Sequence, residues 1–197
     1  PDRLQIMMAG TGFHEIFGQI VSSEEYLEQL LEMDGIVGKV DIYEDIPVEI
    51  KTTSSIPTDI YKGRSSYFEQ LGMYCVMAGK EKGRLFVYQR HKKELPAELK
   101  VYEAIFTNVR RIKEEMLSRR DLFQKALEHK DSSRLPQCEW IYRGCDYLSV
   151  CPCRFRVPAQ AVVPSDEVRI QEMPDLAKEL KAQLVSRPVP HSDLCLK

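Results

Sequence analysis

Apolar positions recur at approximately helical spacing through residues 9–33, at Phe13, Ile16, Phe17, Ile20, Leu27, Leu30 and Leu31, which predicts helix there. The stretch Val21-Ser22-Ser23-Glu24-Glu25 in its middle has the character of a cap, so the segment reads as one helix or two. Residues 36–43 and 47–52 alternate apolar and polar around Glu44-Asp45, the pattern of a hairpin. Residues 53–64 read as a loop, 65–79 as a helix ending at Gly79, and 84–90 as the next strand. A long helical pattern follows over 97–130 through Val101, Ile105, Val109, Ile112, Met116, Phe123 and Leu127. Its outward positions carry Arg110, Arg111, Lys113, Arg119 and Arg120. Beyond Pro136 lie a cysteine-bearing segment and a proline-punctuated tail with a short helix near 174–185. The order of elements predicts an α/β domain with a cysteine-bearing C-terminal lobe.

Composition bounds this picture. With 197 residues, 43% of them hydrophobic and 29% charged, the chain supports one ordinary domain and excludes a disordered or disulfide-dense class. No apolar run approaches the roughly 20 residues needed to span a bilayer, and no signal-peptide pattern is visible, so a soluble, cytoplasmic protein without membrane contact is the expectation. Charge is divided unevenly. Residues 1–50 hold 2 basic and 11 acidic residues, whereas 80–130 hold 14 basic and 8 acidic. Such blocks serve either as solvated faces or as a carboxylate-rich metal site beside a surface that tracks a polyanion.

The chemistry concentrates in Gly38-Lys-Val-Asp41 and Val48-Glu49-Ile50-Lys51. Alternate residues of a strand share a face, so Glu49 and Lys51 point one way while Val48 and Ile50 enter the core. The hairpin returns Asp41 beside them. Two carboxylates and an ammonium suit Mg²⁺ or Mn²⁺ together with a phosphate. Alternating charges on an ordinary exposed hairpin give the same pattern. His14 follows Gly10 in a G-x-x-x-H arrangement, where an imidazole can serve as a ligand or as a plain surface residue. Gln70 and Tyr74 share a helix face at i, i+4, as supports for the site or as part of an amphipathic helix.

Across residues 10–74 the order is G-x-x-x-H, G-x-x-D, E-x-K and Q-x-x-x-Y. That set resembles the PD-(D/E)XK nuclease superfamily, in its RecB-like branch, which includes the CRISPR-associated RecB-like exonucleases. The likeness covers roughly residues 8–155. It implies a restriction-endonuclease-like core, a central mixed sheet flanked by helices, with a small cluster-binding C-terminal lobe. It divides the chain into a core with a helical extension at 1–135, a cysteine lobe at 136–160 and a tail at 161–197. By the resemblance, His14, Asp41, Glu49 and the Ile50 carbonyl hold Mg²⁺ or Mn²⁺. Lys51 positions the attacking water and neutralises charge on the phosphate, and Gln70 and Tyr74 support the site and steer the strand. Tyr61, Lys62 and Arg64 are candidates to meet the substrate, and Tyr67 and Phe68 to stack on bases or to pack in the core.

Of six cysteines, Cys138, Cys145, Cys151 and Cys153 cluster, whereas Cys75 and Cys195 stand alone. In an intracellular protein such a cluster points to a metal sooner than to disulfides. The segment from Trp140 to Pro152 resembles the C-terminal cysteine region of the same branch, with Tyr142 where its first cysteine is expected and no cysteine before His14. Cys138 and Cys153 would complete a local set of four thiolates. These suit [4Fe–4S], with [2Fe–2S] or tetrahedral Zn²⁺ as alternatives.

The expectation is therefore a metal-dependent deoxyribonuclease acting on single-stranded DNA ends, in CRISPR adaptation or in recombination and repair. CRISPR integration proteins or a helicase are the implied partners. Two rivals are an iron–sulfur DNA-binding subunit that guides DNA for such a partner, and a zinc-stapled interaction domain. The sequence leaves polarity and oligomeric state open.

Overall fold

The computed structural model describes residues 3–90, 97–137, 156 and 160–186, with the backbone alone for residues 3–11 and Val185. Cys138, Cys145, Cys151 and Cys153 lie outside the described residues, as does Cys195. Among the described residues six strands form one mixed sheet in chain order: β1 (Leu27–Met33), β2 (Ile36–Tyr43), β3 (Pro47–Thr53), β4 (Lys82–Gln89), β5 (Glu98–Phe106) and β6 (Val168–Glu172). Neighbours are antiparallel except β3 and β4, which are parallel, with Glu49 beside Leu85 and Lys51 beside Val87. A parallel pair needs a crossover, and helix α2 (Ile60–Met77) provides it.

Helices cover both faces of the sheet. Phe17 of α1 (Arg3–Val21) and Ala177 and Leu180 of α4 (Pro174–Ser186) bury against Ile42, Val48, Ile50, Phe86 and Val101. On the other face Phe68, Leu71 and Cys75 of α2 and Ile112 and Met116 of α3 (Val109–Glu128) pack with Leu85, Val87, Tyr102, Ala104 and Phe106. Burying each Val, Leu, Ile, Phe or Met among them contributes roughly 1.5–3 kcal/mol. The stretch beyond residue 160 supplies β6 and α4 to this sandwich. Among the described residues no helix is long and apolar enough to cross a membrane.

Three expectations about elements change. The helix foreseen over 9–33 ends at Val21, and Leu27–Met33 is a strand whose exposure alternates residue by residue. Leu30, counted there as a core position, is 72% exposed. The long helix over 97–130 is a strand followed by a helix, because β5 is buried on both faces: Leu99 and Val101 enter one core while Tyr102, Ala104 and Phe106 enter the other. A strand covered on both sides loses its period of two and is easily mistaken for helix. Finally, α2 begins at Ile60 rather than Ser65. Asp59 caps it by accepting the Lys62 N–H at 3.0 Å, and the non-helical backbone of Arg64 (φ −149°, ψ 44°) kinks it. Its end matches expectation: Gly79 takes φ +65°, Lys80 donates to the Cys75 carbonyl and Gly79 to that of Val76.

Candidate active site

Strand β2 passes between the two layers. Ile36 at its start packs with the α2 core, and Ile42 near its end lies in the α1 core. Its ladder with β3 is confined to Ile42–Val48 and Tyr43–Pro47. Past these pairs the strands diverge, and the Asp41 carboxylate stands in for the missing backbone partner: Oδ2 accepts the Ile50 N–H at 2.7 Å. The other oxygen, Oδ1, lies 3.7 Å from Nδ1 of His14 on α1. The divergence therefore lets a strand residue and a residue from a separate helix meet.

Glu49 and Lys51 share the α2 side of β3, as period two requires. Glu49 is 2% exposed. The Lys51 ammonium donates to Glu49 Oε1 and to Gln70 Oε1, the latter at 2.8 Å. Glu49 Oε2 is buried and has no hydrogen-bond partner. Burial raises the Glu49 carboxyl to about 7; Lys51 pulls against that shift and Asp41 adds to it. A buried carboxylate with an orphaned oxygen is costly to keep unless a further positive charge faces it.

From Lys51 a chain of hydrogen bonds runs outward. Gln70 Nε2 donates to the Tyr74 hydroxyl at 3.0 Å, and that hydroxyl donates to the Lys39 carbonyl of β2 at 2.8 Å. The i, i+4 pair on α2 thus ties Lys51 to the strand that carries Asp41. Gly38 permits the approach, since a Cβ there would stand 2.8 Å from Tyr74 Cε1 and 3.4 Å from Met77 Sδ. Sequence reasoning noted Gly38 as part of a motif without this reason, which is packing against another element.

The remaining candidates are arranged differently. Tyr61 turns inward: its hydroxyl donates to the Val163 carbonyl at 2.5 Å and its ring leans on Phe68, which is fully buried. Lys62 is exposed beside Asp59 at 3.5 Å. Arg64 is tied to the end of β3 through Thr53 Oγ1 at 3.1 Å. On α3, Arg111 donates to the Val162 carbonyl at 2.6 Å, Arg119 to that of Gln160, and Arg120 to that of Asp34 at 2.5 Å. These cations, expected on a free face, bind the chain's own carbonyls.

Sequence reasoning passed over one wall. A cavity of about 610 Å³ opens between α1 and β1, with His14 and Asp41 on its lining together with Glu15, Glu24 and Glu28. The acidic bias of the first 50 residues was the available signal.

Among the described residues no three His, Cys, Asp or Glu side chains already converge on one point. Asp41 Oδ1 with the His14 imidazole beside it, and the orphaned Glu49 Oε2, are each of a donor type that hard divalent cations take.

Fold and site together define an α/β protein in which two carboxylates and a lysine meet where antiparallel strands part, flanked by an imidazole and a glutamine–tyrosine relay. No family model matches the chain, and neither a curated protein nor a solved structure is significantly similar to it.

Proposed function

We propose that the chain is a divalent-metal-dependent deoxyribonuclease with a restriction-endonuclease-like core, acting on single-stranded DNA ends. The observation that carries this reading is Glu49, a buried carboxylate with one oxygen on Lys51 and the other unpartnered, next to Asp41. A packing role alone gives no reason to bury such a group.

His14, Asp41, Glu49 and the Ile50 carbonyl would hold Mg²⁺ or Mn²⁺. When bound, the cation supplies Lewis acidity to the scissile phosphodiester and acidifies water. Lys51 offers its remaining N–H to the attacking water or to a phosphate oxygen on which charge grows. Gln70 fixes the ammonium, and Tyr74 fixes Gln70 against β2, so Lys51 and Asp41 keep their spacing. Asp41 in turn holds the Ile50 backbone through its N–H. CRISPR adaptation or recombination and repair is the setting the motif order favours, and Cys138, Cys145, Cys151 and Cys153 are the thiolates that would hold a [4Fe–4S] cluster.

The test is cleavage of end-labelled single-stranded DNA with Mn²⁺ by wild type and Lys51→Ala, both prepared anaerobically with visible spectra recorded. Cleavage by the wild type that is lost in the variant supports the reading, and the label gives polarity. Binding without cleavage by either protein, with an intact chromophore, favours a guide subunit. Equal cleavage by both overturns the assignment of Lys51.

A further inference from the structure

Tyr67 was a candidate for stacking on bases or for packing in the core, yet its ring faces a cation of the protein itself. The Lys51 ammonium lies 5.8 Å from the Tyr67 ring centroid, within the range of a cation–π contact. Tyr67 and Gln70 are three residues apart on α2 and so share a face. Both therefore meet Lys51, one through its ring and the other through its amide oxygen.

An ammonium has three N–H donors. Glu49 and Gln70 each take one. A third oxygen acceptor from the protein would occupy the last donor and leave nothing for water or phosphate. An aromatic face attracts the cation through its quadrupole without accepting along one fixed direction. Tyr67 is partly buried against the α2 core, which keeps its ring in place.

We infer that Tyr67 is a positioning residue for Lys51: its ring confines the ammonium while leaving one N–H free for the reaction. This rests on the nuclease reading of Lys51.

Two substitutions separate ring from hydroxyl and from bulk. Tyr67→Phe keeps the ring, whereas Tyr67→Met keeps apolar volume without it. For each, kcat and KM on single-stranded DNA are measured, and the rate of Lys51 reductive methylation is followed by mass spectrometry with neither DNA nor metal present. Tyr67→Phe should stay within about twofold of wild type in every readout. Tyr67→Met should lower kcat about fivefold to tenfold at unchanged KM and make Lys51 label faster. Wild-type kcat and labelling in Tyr67→Met would overturn the inference, as would equal damage in Tyr67→Phe, which would assign the role to the hydroxyl. A wild type that cleaves nothing defeats the nuclease reading instead, and the labelling rates still decide whether the ring holds Lys51.

Discussion

Two cation–carboxylate pairs among the described residues lie in sharply different surroundings. On α3, Arg110 and Glu114 meet at 2.9 Å with side chains 88% and 62% exposed. On β3, Lys51 meets Glu49 with side chains 20% and 3% exposed. The first pair sits in water, where screening and side-chain entropy leave it worth about 0.3–0.5 kcal/mol. The second lies under α2, where desolvation opposes the charged form of Glu49 and one of its oxygens has no partner. A stability argument explains neither the place nor the choice of residues in the buried pair. Such a pair is expected where a ligand, not the fold, completes the electrostatics.

The largest effect that would break the comparison is on activity. On the proposed nuclease reading, Lys51→Ala should lower cleavage about a hundredfold or more, measured with end-labelled DNA, while Arg110→Ala leaves it unchanged.

Next comes a stability effect of opposite sign. The Glu49 carboxyl stands at about 7 in the fold against 4.5 for the free group, so between those values the native state binds more protons than the unfolded one. Without divalent cations, stability should therefore fall as pH rises from 4.5 to 7, and Glu49→Gln should flatten that profile. By about pH 8 the variant should be more stable than wild type by on the order of 2–3 kcal/mol in denaturant titration, though inactive. A variant less stable than the wild type at that pH would mean that Lys51 outweighs desolvation.

The relay gives intermediate effects. Tyr74→Phe removes one hydroxyl that both accepts from Gln70 and donates to Lys39, and should cost about 1–2 kcal/mol and lower kcat severalfold. Gly38→Ala, with its methyl pressed on the Tyr74 ring, should cost about 1–3 kcal/mol and lower kcat in the same direction.

The smallest effect lies on α3. Arg110→Ala should shift stability by less than about 0.5 kcal/mol. Arg111→Ala, which loses bonds to the Val162 carbonyl and Glu167, should shift it by about 1–2 kcal/mol in thermal unfolding. A larger loss for Arg110 would mean that exposure misjudges the helix face.

Legibility in the sequence followed the range of the interaction. The hairpin of β2 and β3, the shared face of Glu49 and Lys51, and the shared face of Gln70 and Tyr74 rest on local periodicity, so they could be read directly. β1 was misread because its outward Leu30 completed an apparent helical spacing, and β5 because two layers bury it. Arg111, Arg119 and Arg120 of α3 looked like part of a free basic face because their partners, the carbonyls of Val162, Gln160 and Asp34, lie far away in the chain.

The sequence by itself determined the donor types and their local order: two carboxylates, a lysine, an imidazole, and a glutamine one helical turn before a tyrosine. Side-chain identity and periods of two and 3.6 are properties of short segments. Tertiary structure alone decided that Asp41 leaves the ladder to hold Ile50, that His14 reaches it from α1, that Glu49 is buried with an unpartnered oxygen, and that Tyr67 faces Lys51. Each of these depends on where one element stops pairing or how closely another covers it, and packing across the whole sheet sets that.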